Sequence, residues 1–242
     1  MDPNELDKME HLGEAHWWFQ GKKYILKNIM RNINIAAGQY LDIGCGTGMF
    51  LRELGEQRQL YGVDISERAL SYCKKKVNAE LVQAQGSALP FSKDTFSLVT
   101  LLDMLEHVDE DFGVLKEAFR VCQPGAAVII TVPAFGFLWG SHDIVHHHKR
   151  RYTREQLKTL ALSAGFLIER LTYTNIFIFI PAFVRRRISR ISHEKRSDLR
   201  PTPYILNEFL KCVYKLEACL LKKSNFPFGV SLLMVLRKPI SI

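Results

Sequence analysis

A glycine-rich segment followed by an acidic residue carries the clearest chemistry in this sequence of 242 residues. The segment reads LDIGCGTG over residues 41–48. It begins within a predicted buried strand, 40–43, and runs into a predicted helix, 47–54. Glycine tolerates positive φ and lets the backbone approach a ligand closely. Asp64 ends the next predicted strand, 20 residues after Gly44, where a carboxylate can accept hydrogen bonds from ribose hydroxyls. The two features together predict a site for a nucleoside.

The spacing of the glycines separates two classes of ligand. A dinucleotide-binding fingerprint has the pattern G-x-G-x-x-G and holds a pyrophosphate at the N-terminus of a helix. Here the third glycine, Gly48, comes one residue early, and Met49 occupies the position that the fingerprint would fill. A ligand that has a ribose but no phosphate fits better, and S-adenosylmethionine is such a ligand. The alternative interpretation is a tight turn between strand and helix, with Asp64 as an ordinary helix cap.

These residues and their surroundings resemble the class I S-adenosylmethionine-dependent methyltransferases, over residues 36–172 and in the last strand. The resemblance implies that the loop glycines make room for the methionine part of the cofactor. It also implies that Asp42 organises the amino and carboxylate groups of that part, that Asp64 binds the ribose and that Ile65 lines the adenine. In the adenine-edge segment, AQGSALPF, Gln85 stands where the family usually has Asp, and its carbonyl can still accept from the adenine amine. The expected cofactor-binding residues are Asp42, Gly44, Cys45, Gly46, Gly48, Asp64, Ile65, Gln85, Ser87 and Leu102.

The end of the fourth predicted strand carries acidic residues and a histidine. The run LLDMLEHV, residues 101–108, resembles a segment of the ubiquinone-biosynthesis O-methyltransferases in which two acids and a histidine can hold a divalent cation. Asp103, Glu106 and His107 supply suitable ligands for such an ion. One alternative is a helix start in which Glu106 and His107 form local hydrogen bonds. Another is a role of His107 as a substrate contact or base, which we favour over a metal ligand. No metal ligand is assigned from the sequence.

Three consecutive aromatic residues precede the first strand. The run HWWFQGKK, residues 16–23, resembles the opening H-W-W-F-x-G-[RK]-[RK] of a bacterial and archaeal subgroup of these methyltransferases. Three neighbouring rings cannot all point to one face of a helix. We expect Trp18 to contact the substrate or to cover the cofactor, and simple docking of this helix on the sheet is the alternative.

The same subgroup carries a stretch like residues 133–152, PAFGFLWGSHDIVHHHKRRY, after the fifth strand. It holds four of the eight histidines and follows the C-terminal end of a strand, so it should lie near the active site. A neutral imidazole can remove a proton from a hydroxyl or amine that attacks the cofactor methyl, and Asp143 can orient it. Arginines in this stretch can hold a phosphate or carboxylate of the substrate, and a solvated basic loop is the alternative. The predicted catalytic residues are His148, His142, His107 and Asp143, and the predicted substrate-binding residues are Trp18, Arg150, Arg151 and Tyr152.

Apolar runs alternate with amphipathic segments through most of the chain. The predicted strands are 40–43, 60–65, 81–85, 96–102, 126–132, 166–173 and 230–237. Their alternation with helices predicts a Rossmann-like α/β fold: a seven-stranded, mostly parallel sheet with helices on both faces, an N-terminal helix and a C-terminal helical insertion. Ser66 and Thr153 are predicted to cap helices, and Pro124 and Gly125 to form a turn. We expect four parts along the chain. They are an N-terminal helical cap (1–35), a cofactor-binding α/β domain (36–175), a basic apolar helical insertion (176–225) and the last strand of the sheet (226–242).

The composition excludes several classes of protein. Apolar residues make up 47% and charged residues 24%, as in an ordinary globular protein. The five cysteines are scattered without a CxxC pair, which disfavours a disulfide framework or a zinc site and favours a reducing compartment. A polar N-terminus and the lack of an apolar run near about 20 residues disfavour a signal peptide and a membrane-spanning helix. We therefore expect a cytoplasmic protein.

Charge is unevenly distributed along the chain. Residues 1–144 hold 14 Lys and Arg against 19 Asp and Glu, a net charge of −5, whereas residues 145–242 hold 19 against 6, a net charge of +13. In the second part, nine apolar residues, 176–184, precede a cluster of arginines, and apolar residues recur at helical spacing over 202–223. Such a segment can lie in the interface of an anionic membrane, here the inner membrane surface. It can equally form a helical subdomain that caps the sheet or builds a homodimer, whereas nucleic-acid binding is disfavoured because aliphatic residues interleave the basic run.

Together these features predict a methyltransferase. An oxygen or nitrogen of the acceptor, a small or lipid-linked metabolite, attacks the sulfonium methyl of S-adenosylmethionine in line, and S-adenosylhomocysteine leaves. One alternative is a non-catalytic protein that binds the cofactor and docks on a membrane or a partner. Another is an RNA methyltransferase, which is disfavoured because the fourth strand does not end in the (D/N)PPY-type motif of many enzymes that methylate base nitrogens.

Overall fold

The computed structural model describes residues 3–54, 59–191 and 199–240. Its strands are β1 (Gln39–Ile43), β2 (Leu60–Asp64), β3 (Glu80–Gln83), β4 (Phe96–Leu102), β5 (Cys122–Pro133), β6 (Leu167–Thr174) and β7 (Ser231–Arg237). They form one seven-stranded sheet in the order β3-β2-β1-β4-β5-β7-β6. β7 runs antiparallel to both β5 and β6, and the other neighbouring pairs are parallel.

Helices cover both faces of this sheet. They are α1 (Pro3–Leu12), α2 (Trp17–Arg31), α3 (Glu67–Lys74), α4 (Asp111–Val121), α5 (Ser141–Val145), α6 (Arg154–Ser163), α7 (Phe179–Ile191) and α8 (Tyr204–Leu220). Successive strand residues alternate between two hydrophobic clusters, so that Leu98 packs in one and Val99 in the other. α4 and α6 contribute to the cluster of Val99, and α2, α3 and α8 to the cluster of Leu98. The predicted Rossmann-like α/β fold, with its mostly parallel sheet, is confirmed.

Local side-chain signals set the ends of two helices as predicted. The Ser66 side chain accepts a hydrogen bond from the Ala69 N–H at the start of α3. At the start of α6, Thr153 and Gln156 form a reciprocal capping box. Gly165 follows α6 with a φ of +102°, in the left-handed region where glycine ends many helices. These caps need only near neighbours in the chain, which is why the sequence predicts them.

The helix predicted over 47–54 is not an α-helix in the structure. The chain turns after β1 and then forms a 3-10 helix, Leu51–Leu54, while residues 55–58 lie outside the described chain. Gly46 and Gly48 both have positive φ, which an α-helix cannot accommodate. The loop glycines therefore delay the start of helical structure beyond the position that the apolar pattern suggests.

The turn predicted at Pro124 and Gly125 lies inside a strand. Both residues belong to β5, where Gly125 has a φ of +79° and the register with β4 shifts. The Gly125 N–H donates a hydrogen bond to the Lys238 carbonyl at 3.0 Å, just beyond the end of β7. The backbone thus bends without leaving the sheet, because the residue that follows β7 accepts the hydrogen bond of the Gly125 amide.

The N-terminal and C-terminal helices pack together on one face of the sheet. The ring of Tyr214 in α8 lies against Gly21 in α2, so that a Cβ atom at Gly21 would overlap ring carbons. The Asn207 side chain accepts a hydrogen bond from the Trp17 N–H at 2.8 Å and donates one to the Ala15 carbonyl at 3.0 Å. α2 and α8, which are far apart in the chain, therefore form one packed layer. The division of the chain into four parts stays a prediction.

Substitution of Gly21 by alanine should destabilise the protein. The added methyl would collide with the buried Tyr214 ring, and overpacking of this kind costs about 1–3 kcal/mol, more than the helix propensity that alanine adds. Urea unfolding followed by circular dichroism measures the loss. Gly113→Ala in α4 is the matched control, because the nearest atom to its Cβ lies 3.6 Å away, and it should not lower the free energy of unfolding. A G21A protein as stable as the control would contradict this packing.

Candidate functional site

A cavity of about 1270 Å³ opens beyond the C-terminal ends of β1, β2 and β4. The loops that follow these strands form part of its wall, and residues of α2, α7 and α8 form another part. Ligands of open parallel sheets bind at this edge, where the order of the strands reverses. In this sheet the reversal lies between β1 and β4. The cavity therefore occupies the position that the topology predicts for a ligand.

The three loop glycines all have positive φ but serve different contacts. A Cβ at Gly46 would meet nothing within 4 Å, and this residue lines the cavity. A Cβ at Gly44 would lie 2.5 Å from Cγ of Met104, and one at Gly48 would lie 2.5 Å from Sγ of Cys73. Gly46 thus presents bare backbone to a ligand, whereas Gly44 and Gly48 allow the loop to pack on the protein. Gly44 and Cys45 also line the cavity, and Gly48 does not.

Asp64 connects the glycine loop to the end of β2. One carboxylate oxygen accepts a hydrogen bond from the Gly46 N–H at 2.9 Å, and the other accepts from the Ser66 N–H at 2.8 Å. Each oxygen has a second lone pair, so the carboxylate can also accept from a ribose hydroxyl. Ile65 follows on the wall and is 66% exposed, so its apolar side chain is open to a ligand in the cavity.

The remaining residues of the predicted cofactor site divide into two groups. Gln85, Ser87 and Leu102 line the cavity. Asp42 lies behind the loop instead, buried, and accepts a hydrogen bond from the Thr100 hydroxyl at 2.6 Å. Burial raises the pKa of Asp42 to about 7, against the opposing effect of the Thr100 hydrogen bond. Asp42 does not reach the cavity in this structure, and its role toward the methionine group stays a prediction.

The aromatic run before β1 is held over the end of β4. Asp103 follows β4 with a φ of +53°, and its carboxylate forms an ion pair with Lys22 of α2. The Lys22 ammonium also lies 4.8 Å from the centre of the Trp18 ring, a cation–π contact. Trp18 and Lys22 both line the cavity. The prediction that Trp18 lies at the site thus agrees with its position, while a contact with substrate stays a prediction.

A buried carboxylate organises the histidine stretch. Asp143 is fully buried, and its Oδ1 lies 2.9 Å from Nδ1 of His148. Arg151 donates two hydrogen bonds to the same carboxylate, at 2.9 and 3.1 Å, and the Gly140 N–H donates a third at 2.8 Å. Burial alone would raise the pKa of Asp143, but the hydrogen bonds from His148 and Arg151 hold it below its usual range. Asp143 thus stays ionised and fixes His148 through Nδ1, which leaves Nε2 for the cavity that His148 lines.

Two further histidines of the predicted catalytic set line the same cavity. The rings of His107 and His148 meet edge to face, with 4.7 Å between their centres. Burial, together with the charges of His148 and His146, lowers the pKa of His107 to about 3. Burial also lowers the pKa of His142 well below its usual value. Both imidazoles are therefore neutral near pH 7, the form that accepts a proton or binds a metal.

The last three residues of the stretch, Arg150, Arg151 and Tyr152, form hydrogen bonds within the protein. The Arg151 side chain lines the cavity, but its hydrogen bonds go to Asp143 and to the Ala134 carbonyl. Arg150 pairs with Asp111 at 2.9 Å, and the Tyr152 hydroxyl donates to the same carboxylate at 2.8 Å. Arg150 and Tyr152 do not line the cavity. These contacts attach the stretch to the start of α4, and substrate binding by the three residues stays a prediction.

The wall of the cavity also holds Glu106, which the sequence offered as a ligand for a divalent ion, and two apolar segments that sequence reasoning did not place at the site. Glu106, in the turn after β4, is buried beside His107 and His148 and lines the cavity. The apolar segment before and within α7 and the middle of α8 supply a further part of the wall, with Phe177, Ile178, Pro181, Ala182, Phe209, Leu210 and Val213. Their apolar run was visible in the sequence, but its position over the cavity depends on how α7 and α8 pack.

Part of the chain matches a known family. Residues 41–130 match the family described as Methyltransferase domain. The demethylmenaquinone methyltransferase of Bacillus cereus (strain B4264) is 39% identical over an alignment of 122 residues that covers 46% of this chain and 52% of that protein. The chain thus spans about half the length of the curated relatives that it matches.

Solved structures with a similar fold cover more of the chain. A SAM-dependent methyltransferase of Thermotoga maritima has a TM-score of 0.62 at 17% identity, covering 97% of this chain and 95% of that one. Phosphoethanolamine N-methyltransferase 2 of Haemonchus contortus, in complex with S-adenosyl-L-methionine, has a TM-score of 0.58 at 22% identity, covering 89% of this chain and 52% of that one. At these identities the likeness concerns the fold. The family match spans the glycine loop, the acid after β2 and the end of β4, so residues 41–130 form a methyltransferase domain, and S-adenosylmethionine is the cofactor of this domain.

Proposed function

We propose that this protein transfers the methyl group of S-adenosylmethionine to an oxygen or nitrogen of a small or lipid-linked metabolite. The observation that carries the proposal is that one cavity brings together the glycine loop with Asp64 and the His148 imidazole held by Asp143. Its volume of about 1270 Å³ exceeds the roughly 300–1,000 Å³ of ordinary small-molecule pockets, so it has room for a cofactor and an acceptor.

The reaction needs alignment and the removal of one proton. The acceptor atom attacks the methyl carbon opposite the sulfur, the carbon–sulfur bond breaks, and its electron pair stays on the sulfur of S-adenosylhomocysteine. Holding the two reactants in line supplies much of the rate acceleration. His148 accepts the acceptor proton through Nε2, while Asp143 keeps the proton on Nδ1 and stabilises the imidazolium that forms. His142 and His107 are further candidates for this role.

The acceptor wall favours a molecule with an apolar part. Phe177, Ile178 and Pro181 face the cavity from the α7 side, and Phe209 and Val213 face it from α8. Each Å² of apolar ligand surface that this wall covers contributes about 25 cal/mol to the free energy of binding. The name of the Bacillus cereus relative gives demethylmenaquinone as its substrate, which supports a lipid-linked acceptor here.

We further propose that the outer face of α7 binds an anionic membrane surface. Ile180, Val184 and Ile188 recur every fourth residue and are 69%, 48% and 60% exposed, while Arg185 and Arg187 are exposed beside them. Such a face can lie in a lipid interface, with arginines at the phosphate level. No helix in the described ranges combines the length and the apolar character needed to cross a membrane. A lipid-linked acceptor could then enter the cavity from the inner membrane surface.

Incubation with tritiated-methyl S-adenosylmethionine and a bacterial extract tests the methyl transfer. We expect label in the chloroform-soluble fraction for a lipid-linked acceptor, or in the aqueous fraction for a small metabolite. Bound cofactor without labelled product would instead support a protein that binds the cofactor but does not transfer its methyl. Label in RNA, with a strongly salt-dependent affinity for RNA, would support an RNA methyltransferase.

Asp64→Ala should weaken the binding of S-adenosylmethionine at least about tenfold, because a hydrogen bond to a charged acceptor contributes about 1.5–3 kcal/mol. The substitution also releases the Gly46 N–H, which adds to the loss. Isothermal titration calorimetry measures the affinity. Glu80→Ala, at an exposed end of β3 outside the cavity, is the control and should bind as the unmodified protein does. Unchanged affinity in D64A would remove Asp64 from the cofactor site.

His148→Ala should lower the turnover of the acceptor at least about a hundredfold, the usual contribution of a positioned general base, and leave cofactor affinity intact. Tritium transfer to the labelled product reports turnover, and calorimetry reports affinity. Ile144→Ala, in α5 of the same stretch but 52% exposed and outside the cavity, should keep full turnover. Full activity in H148A would exclude His148 as the base.

The double variant I180E/I188E should lose binding to vesicles of phosphatidylglycerol and phosphatidylcholine at least about tenfold, because each buried isoleucine contributes about 1.5–3 kcal/mol. Co-sedimentation with the vesicles measures binding, and vesicles of phosphatidylcholine alone should bind more weakly. Leu162→Glu, an exposed apolar position on α6, is the matched control and should bind normally. If the unmodified protein ignores anionic vesicles but forms a dimer that I180E/I188E abolishes, the face joins two copies of the chain and the membrane proposal fails.

A further inference from the structure

Three side chains with metal-binding atoms meet at the wall of the cavity. Glu106 and His107 lie in the 3-10 turn that follows β4, and His148 comes from the segment after α5. Each offers one ligand atom, and the three atoms lie within 4.8 Å of one another. A cation placed between them would be in reach of all three. We propose that Glu106, His107 and His148 form a binding site for a divalent transition-metal ion.

The contact behind His148 supports a ligand role for its ring. Asp143 holds Nδ1 of His148 at 2.9 Å, which leaves Nε2 as the nitrogen for a metal. Histidine ligands of metals commonly have a carboxylate on their other nitrogen, because it fixes the tautomer and makes the ligating nitrogen more basic. Asp143 is itself held by Arg151, so the imidazole is oriented before any ion binds.

The carboxylate of Glu106 supplies an independent argument. Glu106 is 1% exposed, and its Oε2 has no hydrogen-bond partner within the part of the chain that the structure describes. A buried polar atom without a partner costs about 1–3 kcal/mol, and more when the group is charged. A divalent cation coordinated by Oε2 would remove this cost. The orphaned oxygen therefore points to a ligand rather than to a purely structural role.

This set of metal ligands differs from Asp103, Glu106 and His107, the set that the run at residues 101–108 suggests. Asp103 is the nearest acid in the chain, but its carboxylate forms the ion pair with Lys22 and accepts a hydrogen bond from the Thr131 hydroxyl at 3.2 Å. The third ligand is instead His148, 41 residues after His107. Two imidazoles and one carboxylate favour an ion such as Zn²⁺, Co²⁺ or Fe²⁺ over Mg²⁺, which prefers oxygen ligands.

A metal at this position would act on the acceptor rather than on the cofactor. Bound to an acceptor hydroxyl, the ion would lower the pKa of that hydroxyl and orient its oxygen. In the metal-loaded protein His148 would serve as a ligand, and the ion would take over the activation of the acceptor. Whether the ion is used in this way rests on the proposed methyl transfer, but the binding site itself does not.

Titration of the chelator-stripped, full-length protein with Zn²⁺ tests the site. We expect one equivalent to bind, and the substitutions Glu106→Gln, His107→Ala and His148→Ala each to weaken binding at least about tenfold, as the loss of a ligand does. Co²⁺ provides a second readout, because its visible absorption reports the ligand set, and H148A should change this spectrum. Asp103→Asn and His146→Ala are the controls and should bind Zn²⁺ as the unmodified protein does.

Three results would overturn the site: no saturable Zn²⁺ binding, full-strength binding in H148A, or loss of binding in the control variants instead. Circular dichroism shows which variants fold, and if E106Q does not fold, the Co²⁺ spectrum of H148A decides alone. Calorimetry with S-adenosylmethionine on the same variants separates this inference from the proposed function. Loss of Zn²⁺ with unchanged cofactor affinity supports the metal site even if no acceptor is ever methylated.

Discussion

The histidine side of the cavity, where we propose that the acceptor binds, depends on one buried carboxylate, that of Asp143. It accepts hydrogen bonds from His148, Arg151 and the Gly140 N–H. A buried carboxylate and a buried guanidinium each cost several kcal/mol alone, so removal of either would leave the other uncompensated. Arg151 also donates to the Ala134 carbonyl at 3.0 Å, just after β5, and so joins the histidine stretch to the sheet. The orientation of the His148 imidazole therefore follows from charge pairing inside the fold.

The two sides of the cavity have different origins in the chain. The cofactor side consists of short loops after β1, β2 and β3, all within the range 41–130 that matches the methyltransferase family. The side where we propose that the acceptor binds comes mainly from the histidine stretch, α7 and α8, which lie beyond that range. The family match therefore concerns the cofactor, while the walls that would select the acceptor belong to the rest of the chain.

Sequence reasoning succeeded where near neighbours decide the structure. The strands were predicted because a buried parallel strand needs a nearly continuous apolar run, as in Phe96–Leu102, which only Ser97 and Thr100 interrupt. Asp64 was placed correctly at the end of β2, and Ser66 as a helix cap, since both act on backbone amides close by. The prediction of a helix over 47–54 was wrong because the spacing of apolar residues carries no information on the positive φ of the loop glycines.

The sequence by itself determined the alternation of strands and helices, the glycine loop and the acid after β2, because these depend on local periodicity and on backbone freedom at glycine. Only the tertiary structure decided which side chains share the cavity. It directed Arg150 to Asp111, brought His148 to Glu106 and placed α7 and α8 over the site. These contacts join residues that are far apart in the chain, and they follow from the pairing of buried charges and the packing of helices, which no local pattern encodes.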